Sequence, residues 1–175
     1  SEQVYRNPVI CQQKEQKEII YTEEQQTAIQ TFSRDYEQGL RKTYLLYGVT
    51  GSGKTEVYME MIAKVLSEGR QAIVLIPEIA LTYQTVMRFY TRFGERVSIL
   101  NSRMSQGERY DQMERVKKGE VDIMIGPRSA LFTPFEKLGL IVIDEEHEPT
   151  YKSEQVPRFH ARETAIERAR MEGAS

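Results

Sequence analysis

One run of eight residues constrains the fold of this chain more than any other: Gly48-Val49-Thr50-Gly51-Ser52-Gly53-Lys54-Thr55. The run has the pattern G-x-x-x-x-G-K-[ST], in which glycines let the backbone wrap closely around a phosphate group. It follows an apolar segment, TYLLY at 43–47, and precedes a predicted helix at about 54–67. A strand, a glycine-rich turn and a helix in this order predict a phosphate-binding loop in an α/β fold.

The rest of the chain alternates short apolar segments with amphipathic ones. Further buried strands are predicted at AIVLI (72–76), VSIL (97–100), VDIMI (121–125) and LIVI (140–143). Helices are predicted at about 80–93, 105–118 and 160–172. Continuous apolar strands separated by helices predict a parallel sheet that is covered by helices on both faces.

The N-terminal region divides at about residue 20. Residues 1–20 are polar and charged, which predicts a linker or N-terminal arm, and one domain is expected over 21–175. The first helix of that domain is predicted from Thr22-Glu23-Glu24-Gln25, a capping-box pattern with Thr22 as the N-cap residue. On these local grounds Gln25 is a capping residue.

Composition excludes several classes of protein. The chain is 39% hydrophobic and 29% charged, a globular balance, and it shows no apolar run of membrane-spanning length and no secretory signal. A cytoplasmic protein is expected. One cysteine and two separated histidines argue against a disulfide and against zinc. Because the net charge is −2, any contact with DNA would have to come from a local patch.

Acidic residues follow the last predicted strand directly, beginning with Asp144 and Glu145. Because ligands bind at the carboxyl ends of parallel strands, Asp144 and the phosphate loop are expected at the same edge of the sheet. The pattern predicts ATP with Mg²⁺, in which Thr55 and Asp144 hold the ion. Lys54 would contact the β and γ phosphates. Glu145 would activate the attacking water, which favours ATP hydrolysis over phosphate transfer to an acceptor.

Two other functions remain open at this point. A P-loop phosphotransferase would need a substrate lid and an acceptor site, and no Arg-rich lid segment is evident. A non-catalytic module that binds DNA or a protein partner would carry a vestigial nucleotide site. The intact set of Lys54, Thr55, Asp144 and Glu145 argues against such decay. The predicted nucleotide-binding residues of the loop are Gly48, Thr50, Gly51, Ser52, Gly53, Lys54 and Thr55.

Asp144-Glu145-Glu146-His147 resembles motif II of the superfamily 2 helicases, in the D-E-x-H group. PEIALT at 77–82 and RSALFTPF at 128–135 resemble DNA-contacting segments of the bacterial replication-restart helicases in that superfamily. The resemblance covers residues 22–175. It implies a RecA-like lobe whose ATP hydrolysis drives 3′-to-5′ movement along single-stranded DNA at stalled forks. It also implies single-stranded and forked DNA, primosome proteins and a second helicase lobe as partners.

The resemblance implies roles for further residues. Gln25 would contact the adenine, which is an alternative to its capping role. Arg128 and Ser129 would contact the DNA backbone, and His147 would link the nucleotide state to DNA binding. The loop at 149–159 would couple the two sites through Tyr151, Lys152 and Arg158.

Several of these residues also have a purely structural interpretation. Arg128 can be a surface cation, and Tyr151 and Phe159 can be core aromatic residues. Phe89, Tyr90 and Phe93 lie at helical spacing and are predicted to be core residues rather than a stacking platform.

The sequence departs from the family at two positions. Asn101 stands where the family usually has histidine, and Pro127 stands where it usually has threonine. Because proline has no N–H, a backbone contact to DNA at 127 would be lost.

The chain is expected to be truncated before the strand that carries the family's motif III, which would begin just past Ser175. The sheet would then have a gap, closed by a change of register, by the N-terminal arm or by a neighbouring chain. The second lobe, with its arginine finger, would also be absent. Because such a finger is worth ~10³ to 10⁵ in rate, the isolated chain is expected to be nearly inactive.

Overall fold

The computed structural model of the chain describes residues 23–40, 52–144 and 168–175. These residues form two compact units. The first unit contains 73–136 and 143–144, and the second contains 23–40, 52–72, 137–142 and 168–175. The strand predicted at 43–47 and the start of the helix predicted at 160–172 lie outside the described residues.

The elements follow the predicted alternation. The helices are α1 (Glu23–Glu37), α2 (Ser52–Ser67), α3 (Tyr83–Phe93) and α4 (Gln106–Lys117), and residues 168–172 are also helical. The strands are β1 (Gln71–Leu75), β2 (Val97–Ile99), β3 (Ile123–Gly126) and β4 (Leu138–Ile143). Short 3-10 helices cover Glu78–Ala80, Gly94–Arg96 and Arg128–Phe132.

The four strands form one sheet in the order β2-β3-β1-β4. Strands β2 and β3 are parallel, with Val97 opposite Ile123. At the carboxyl ends of the other strands, the Ile76 N–H donates to the Gly126 carbonyl at 2.9 Å, and the Asp144 N–H donates to the Leu75 carbonyl at 2.9 Å. The predicted α/β fold with a parallel sheet is confirmed.

The core of the first unit consists of apolar strand residues and one face of α3. Strands β1, β2 and β3 are almost wholly buried, and α3 buries Val86, Phe89 and Tyr90. The core assignment of Phe89 and Tyr90 is therefore confirmed, whereas Phe93 is only half-buried. Their burial anchors the segment that follows β1, because each ring removes a large apolar area from water.

The start of α3 corrects the prediction of a helix from residue 80. Residues 78–80 form a separate 3-10 turn, and Leu81 has φ −87° and ψ 70°, which is not helical. The helix begins only after Thr82, whose hydroxyl oxygen accepts a hydrogen bond from the Thr85 N–H. An N-cap of this kind satisfies an N–H group that the first turn of the helix would leave unpaired.

The second unit is built around α1, α2 and β4. Phe32 and Tyr36 of α1 are buried, and the Tyr36 hydroxyl donates to the Gly139 carbonyl at 3.2 Å. The Arg70 guanidinium donates to the carbonyl oxygens of Leu138 at 2.6 Å and Glu172 at 3.0 Å. These bonds connect the first residues of β4 to Tyr36 of α1 and to Arg70, which also bonds to Glu172.

Ser175 pairs with β4. Its N–H donates to the Gly139 carbonyl at 3.0 Å, and its carbonyl accepts from the Ile141 N–H. This is the bonding pattern of a parallel strand. The predicted gap beside the 43–47 strand concerns residues outside those described. In the described ranges no helix is long and apolar enough to cross a membrane.

Candidate functional site

The helix that follows the phosphate-loop motif begins at Ser52 and runs to Ser67. Lys54 and Thr55 lie in its first turn, where Lys54 is half-buried and Thr55 is buried. The first turn contains no acidic residue. Because the first N–H groups of a helix have no partner within the helix and carry partial positive charge, this end of α2 suits an anion.

Gln25 is tied to the same turn. Its side-chain amide Nε2 donates to the Gly53 carbonyl oxygen at 3.3 Å. The bond joins α1 to the residue that precedes Lys54 in the motif. Thr22, the partner that the capping-box prediction requires, lies outside the described residues. The bond to Gly53 is therefore a contact that neither of the two predicted roles of Gln25 included.

Packing on α2 fixes the position of α1. The Phe32 and Tyr36 rings have centroids 5.3 Å apart and lie in the buried interior. Next to Tyr36, the Glu37 carboxylate accepts a hydrogen bond from the Lys64 ammonium of α2 at 2.8 Å. The buried rings orient α1 more strongly than this ion pair does, because exposed ion pairs contribute little.

Asp144 directly follows β4 in the first unit. Its N–H is bonded to the Leu75 carbonyl, and the residue is partly exposed. This location at the carboxyl end of a strand is the one predicted from the sequence. In the part of the chain that the structure describes, no group of three or more His, Cys, Asp or Glu residues could hold a metal.

A second set of polar residues follows β1 and β2 in the first unit. The Glu78 carboxylate accepts two hydrogen bonds from Ser102, one from its N–H and one from its hydroxyl at 2.9 Å. The Ser102 N–H, followed by the Ser102 hydroxyl, lowers the pKa of Glu78 below its ordinary value. The positive charges of Arg103 and Arg109 shift this pKa in the same direction.

Two further hydrogen bonds to Asn101 stabilise the turn at residues 101–104. The Asn101 side-chain oxygen accepts from the Arg103 N–H at 2.9 Å, and the Asn101 carbonyl accepts from the Arg109 guanidinium at 2.9 Å. Asparagine commonly stabilises turns by bonding to the backbone two residues on. Asn101 therefore stabilises the turn that it begins.

Arg128 and Ser129 lie in the 3-10 helix that follows β3, and both are exposed. The Pro127 carbonyl accepts from the Ala130 N–H at 2.8 Å and so begins this turn. Proline here supplies an acceptor without an N–H of its own. Phe132 at the end of the turn is 72% exposed.

The remaining predicted site residues are not placed. Gly48, Thr50, Gly51, Glu145, His147, Tyr151, Lys152 and Arg158 lie outside the described residues, as do Phe159 and His160. Sequence reasoning assigned no role to Glu78 or Arg103. Glu78 belongs to the PEIALT segment, but its partner Ser102 is 24 residues away and no local pattern connects them.

Comparisons with known proteins agree with this geometry. Residues 22–169 match the sequence profile of the DEAD/DEAH box helicase family. The chain is 48% identical over 169 residues to replication restart protein PriA of Bacillus subtilis (strain 168). The aligned residues make up 96% of this chain and 21% of that protein. It is 44% identical over 153 residues to the PriA protein of Chlamydia pneumoniae, and the aligned residues make up 87% of this chain and 20% of that protein.

The chain thus spans about a fifth of the length of these two relatives. A crystal structure of a hypothetical ATP-dependent RNA helicase from Sulfolobus tokodaii superposes with a TM-score of 0.56 at 18% identity. The superposition covers 98% of this chain and 48% of that chain, which shows the fold. The family match favours the helicase over the phosphotransferase.

Proposed function

The chain belongs to the DEAD/DEAH box helicase family, and we propose that it is the ATP-binding lobe of a replication-restart DNA helicase. The identity to the PriA proteins supports the restart assignment. Because the chain spans about a fifth of those proteins, the activity of the whole protein is part of the proposal. That activity is ATP-driven 3′-to-5′ movement along single-stranded DNA in the cytoplasm. Its proposed partners are single-stranded and forked DNA, primosome proteins and a second helicase lobe.

The observation that carries the nucleotide-binding part is the bond between Gln25 and Gly53. The bond restrains the turn in which Lys54 and Thr55 lie. The backbone N–H groups of that turn would then lose less conformational entropy when a phosphate binds. We assign the β and γ phosphates to Lys54 and to the loop N–H groups. The proposed nucleotide-binding residues are Gly48, Thr50, Gly51, Ser52, Gly53, Lys54, Thr55 and Gln25.

Thr55 and Asp144 are the proposed ligands of Mg²⁺, which prefers oxygen ligands and binds through few protein carboxylates together with phosphates. Thr55 offers a hydroxyl and Asp144 offers a carboxylate. When bound, the ion would neutralise charge on the phosphates. The Lys54 ammonium would stabilise the negative charge that develops on the γ-phosphoryl group. Glu145 would take a proton from the water whose oxygen attacks the γ-phosphorus, while ADP leaves with the electrons of the broken P–O bond.

The DNA-binding part of the proposal concerns residues after β3 and β4. Arg128 and Ser129 are exposed and can reach a DNA backbone, so we assign them to phosphate contacts. His147, Tyr151, Lys152 and Arg158 are proposed to couple the two sites, on the strength of the family resemblance.

Thermal unfolding with and without Mg-ATP or Mg-ADP tests the nucleotide-binding proposal. Ligand at about 100 times its dissociation constant adds roughly 2.7 kcal/mol to the folded state. For a chain of this size we expect a rise of about 5 to 10 °C in the midpoint. Lys54→Ala should abolish the rise, while Lys118→Ala, which removes an exposed charge from the far end of α4, should keep it. Equal shifts in all three proteins, or no shift in the wild type, would contradict the proposal.

A further inference from the structure

Four hydrogen bonds that involve side chains hold the exposed turn at residues 101–104. Glu78 binds both donors of Ser102, and Arg109 and the Asn101 side chain each add one hydrogen bond. A ligand that binds here does not have to order the turn first. Preorganisation of this kind favours binding because less conformational entropy is lost.

The turn lies at the ligand-binding edge of the sheet. It directly follows β2, which runs parallel to β3, so both strands end at the same edge. The Leu100 N–H donates to the Ile125 carbonyl at 2.8 Å. A Cβ added at Gly126 would lie 3.0 Å from the Leu100 carbonyl oxygen, which shows how closely the two strand ends approach. The turn and the Arg128 segment therefore begin from adjacent, tightly packed strand ends.

Arg103 is the cation that this turn leaves available. Its side chain is exposed, and in the ranges that the structure describes its guanidinium makes no hydrogen bond or ion pair. The Arg109 guanidinium is bonded to Asn101, and the donors of Ser102 are bonded to Glu78. The carboxylates of Glu78 and Glu108 are bonded to Ser102 and Ser105, so the exposed Arg103 guanidinium is the charged group of the turn that an anion can contact. A chain of net charge −2 needs local cations of this kind for contact with DNA.

We propose that Arg103, presented by the turn at residues 101–104, contacts a backbone phosphate of single-stranded DNA. This inference rests on the proposed function and adds a contact to it. A guanidinium can form two parallel hydrogen bonds with phosphate oxygens and keeps its charge at all relevant pH values. The contact is independent of base sequence.

The test is the binding of fluorescein-labelled oligo(dT) by the chain, followed by anisotropy between 50 and 200 mM salt. One phosphate contact on a single strand contributes about 0.7 to the slope of log affinity against log salt. Arg103→Ala should lower the slope by about 0.7 and weaken binding about fivefold at 0.1 M salt. Arg103→Lys should retain the slope because it retains the charge.

Lys118→Ala is the matched control. It removes the same charge from an exposed residue at the other end of α4, about 18 Å along the helix. We expect it to bind like the wild type. Equal slopes for Arg103→Ala and Lys118→Ala would overturn the inference while leaving the proposed function standing. Absence of salt-dependent binding by the wild type would overturn the DNA-binding part of the proposed function, and this inference with it.

Nucleotide-dependent stabilisation provides a second readout. The Arg103 guanidinium makes no hydrogen bond or ion pair in the described part of the chain, and alanine keeps the backbone N–H that donates to Asn101, so Arg103→Ala should unfold near the wild-type midpoint. It should also retain the rise in midpoint with Mg-ATP. Loss of that rise would mean that the substitution acts through the nucleotide site, which contradicts a direct contact with DNA.

Discussion

The side-chain nitrogen of Gln25 lies 3.3 Å from the carbonyl oxygen of Gly53. This one bond connects a helix near the start of the domain to the turn that carries Lys54 and Thr55. Gln25, predicted either to cap a helix or to contact adenine, is thus bonded to a residue of the phosphate-loop motif. The bond to Gly53 and the predicted adenine contact can be tested separately, because only the adenine contact would depend on a base in the ligand.

Gln25→Ala should weaken binding of both Mg-ATP and Mg-tripolyphosphate. A hydrogen bond of this kind contributes about 0.5 to 1.5 kcal/mol, which corresponds to roughly a two- to thirteenfold loss of affinity. The measurement is the midpoint of thermal unfolding as a function of ligand concentration. Gln30→Ala, at an exposed glutamine of the same helix, is the control. A loss confined to ATP would show that the residue acts on the adenine alone.

Glu78→Gln should reduce stability at neutral pH and have little effect in acid. The folded pKa of Glu78 lies below its unfolded value of about 4.3, chiefly because of the Ser102 N–H. Its contribution is therefore present above the unfolded pKa and is lost as the pH falls through the folded pKa. Urea unfolding at several pH values from 7 down to 3 measures the difference between variant and wild type.

The control for Glu78 is Glu136→Gln, which changes an exposed glutamate of the same unit. Its stability should follow that of the wild type at every pH. A difference between Glu78→Gln and wild type that is the same at pH 7 and pH 3 would show that the contact does not depend on the charge of the carboxylate.

Gly139→Ala should destabilise the protein. An added Cβ would lie 2.5 Å from the Tyr36 hydroxyl oxygen, 2.8 Å from Val65 Cγ1 and 2.9 Å from Arg70 Cβ. Overpacking of this kind costs about 1 to 3 kcal/mol. Denaturant unfolding should show the loss as a lower midpoint.

Gly107→Ala is the opposite case and serves as the comparison. The nearest atom to its added Cβ is the Ser105 hydroxyl oxygen at 3.8 Å, so the new methyl group fits. Because Gly107 lies in α4, alanine should stabilise the helix by roughly 0.5 to 1 kcal/mol. Gly139→Ala as stable as the wild type would contradict the packing described around β4.

Local signals predicted α4 well. Ser105 and Glu108 form the capping box at its start, and Gly119 adopts a positive φ of 78° after its end. Both features depend on residues within one turn of each other, so they can be read from neighbouring letters. The end of α2 is of the same kind, since Gly69 has φ 77°.

Local sequence signals did not predict contacts between residues that are distant in the chain. Strand β4 begins at Leu138 rather than at residue 140, because Gly139, which weakens a strand by propensity, is needed where Tyr36 approaches. The Glu78 contact with Ser102 has no periodic signature, so the sequence did not predict it. The phosphate-loop motif could be recognised in the sequence because its chemistry requires consecutive residues.

The bond from Tyr36 to Gly139 joins residues that are 103 positions apart. The described part of the first unit lies almost entirely within one continuous stretch, 73–136, whereas that of the second draws on α1, α2 and the later segment 137–142. During synthesis from the N-terminus, α1 and α2 emerge long before β4 exists to cover their apolar side chains. We therefore expect these helices to remain exposed to chaperones until β4 has been made, and the central stretch to complete its own contacts first.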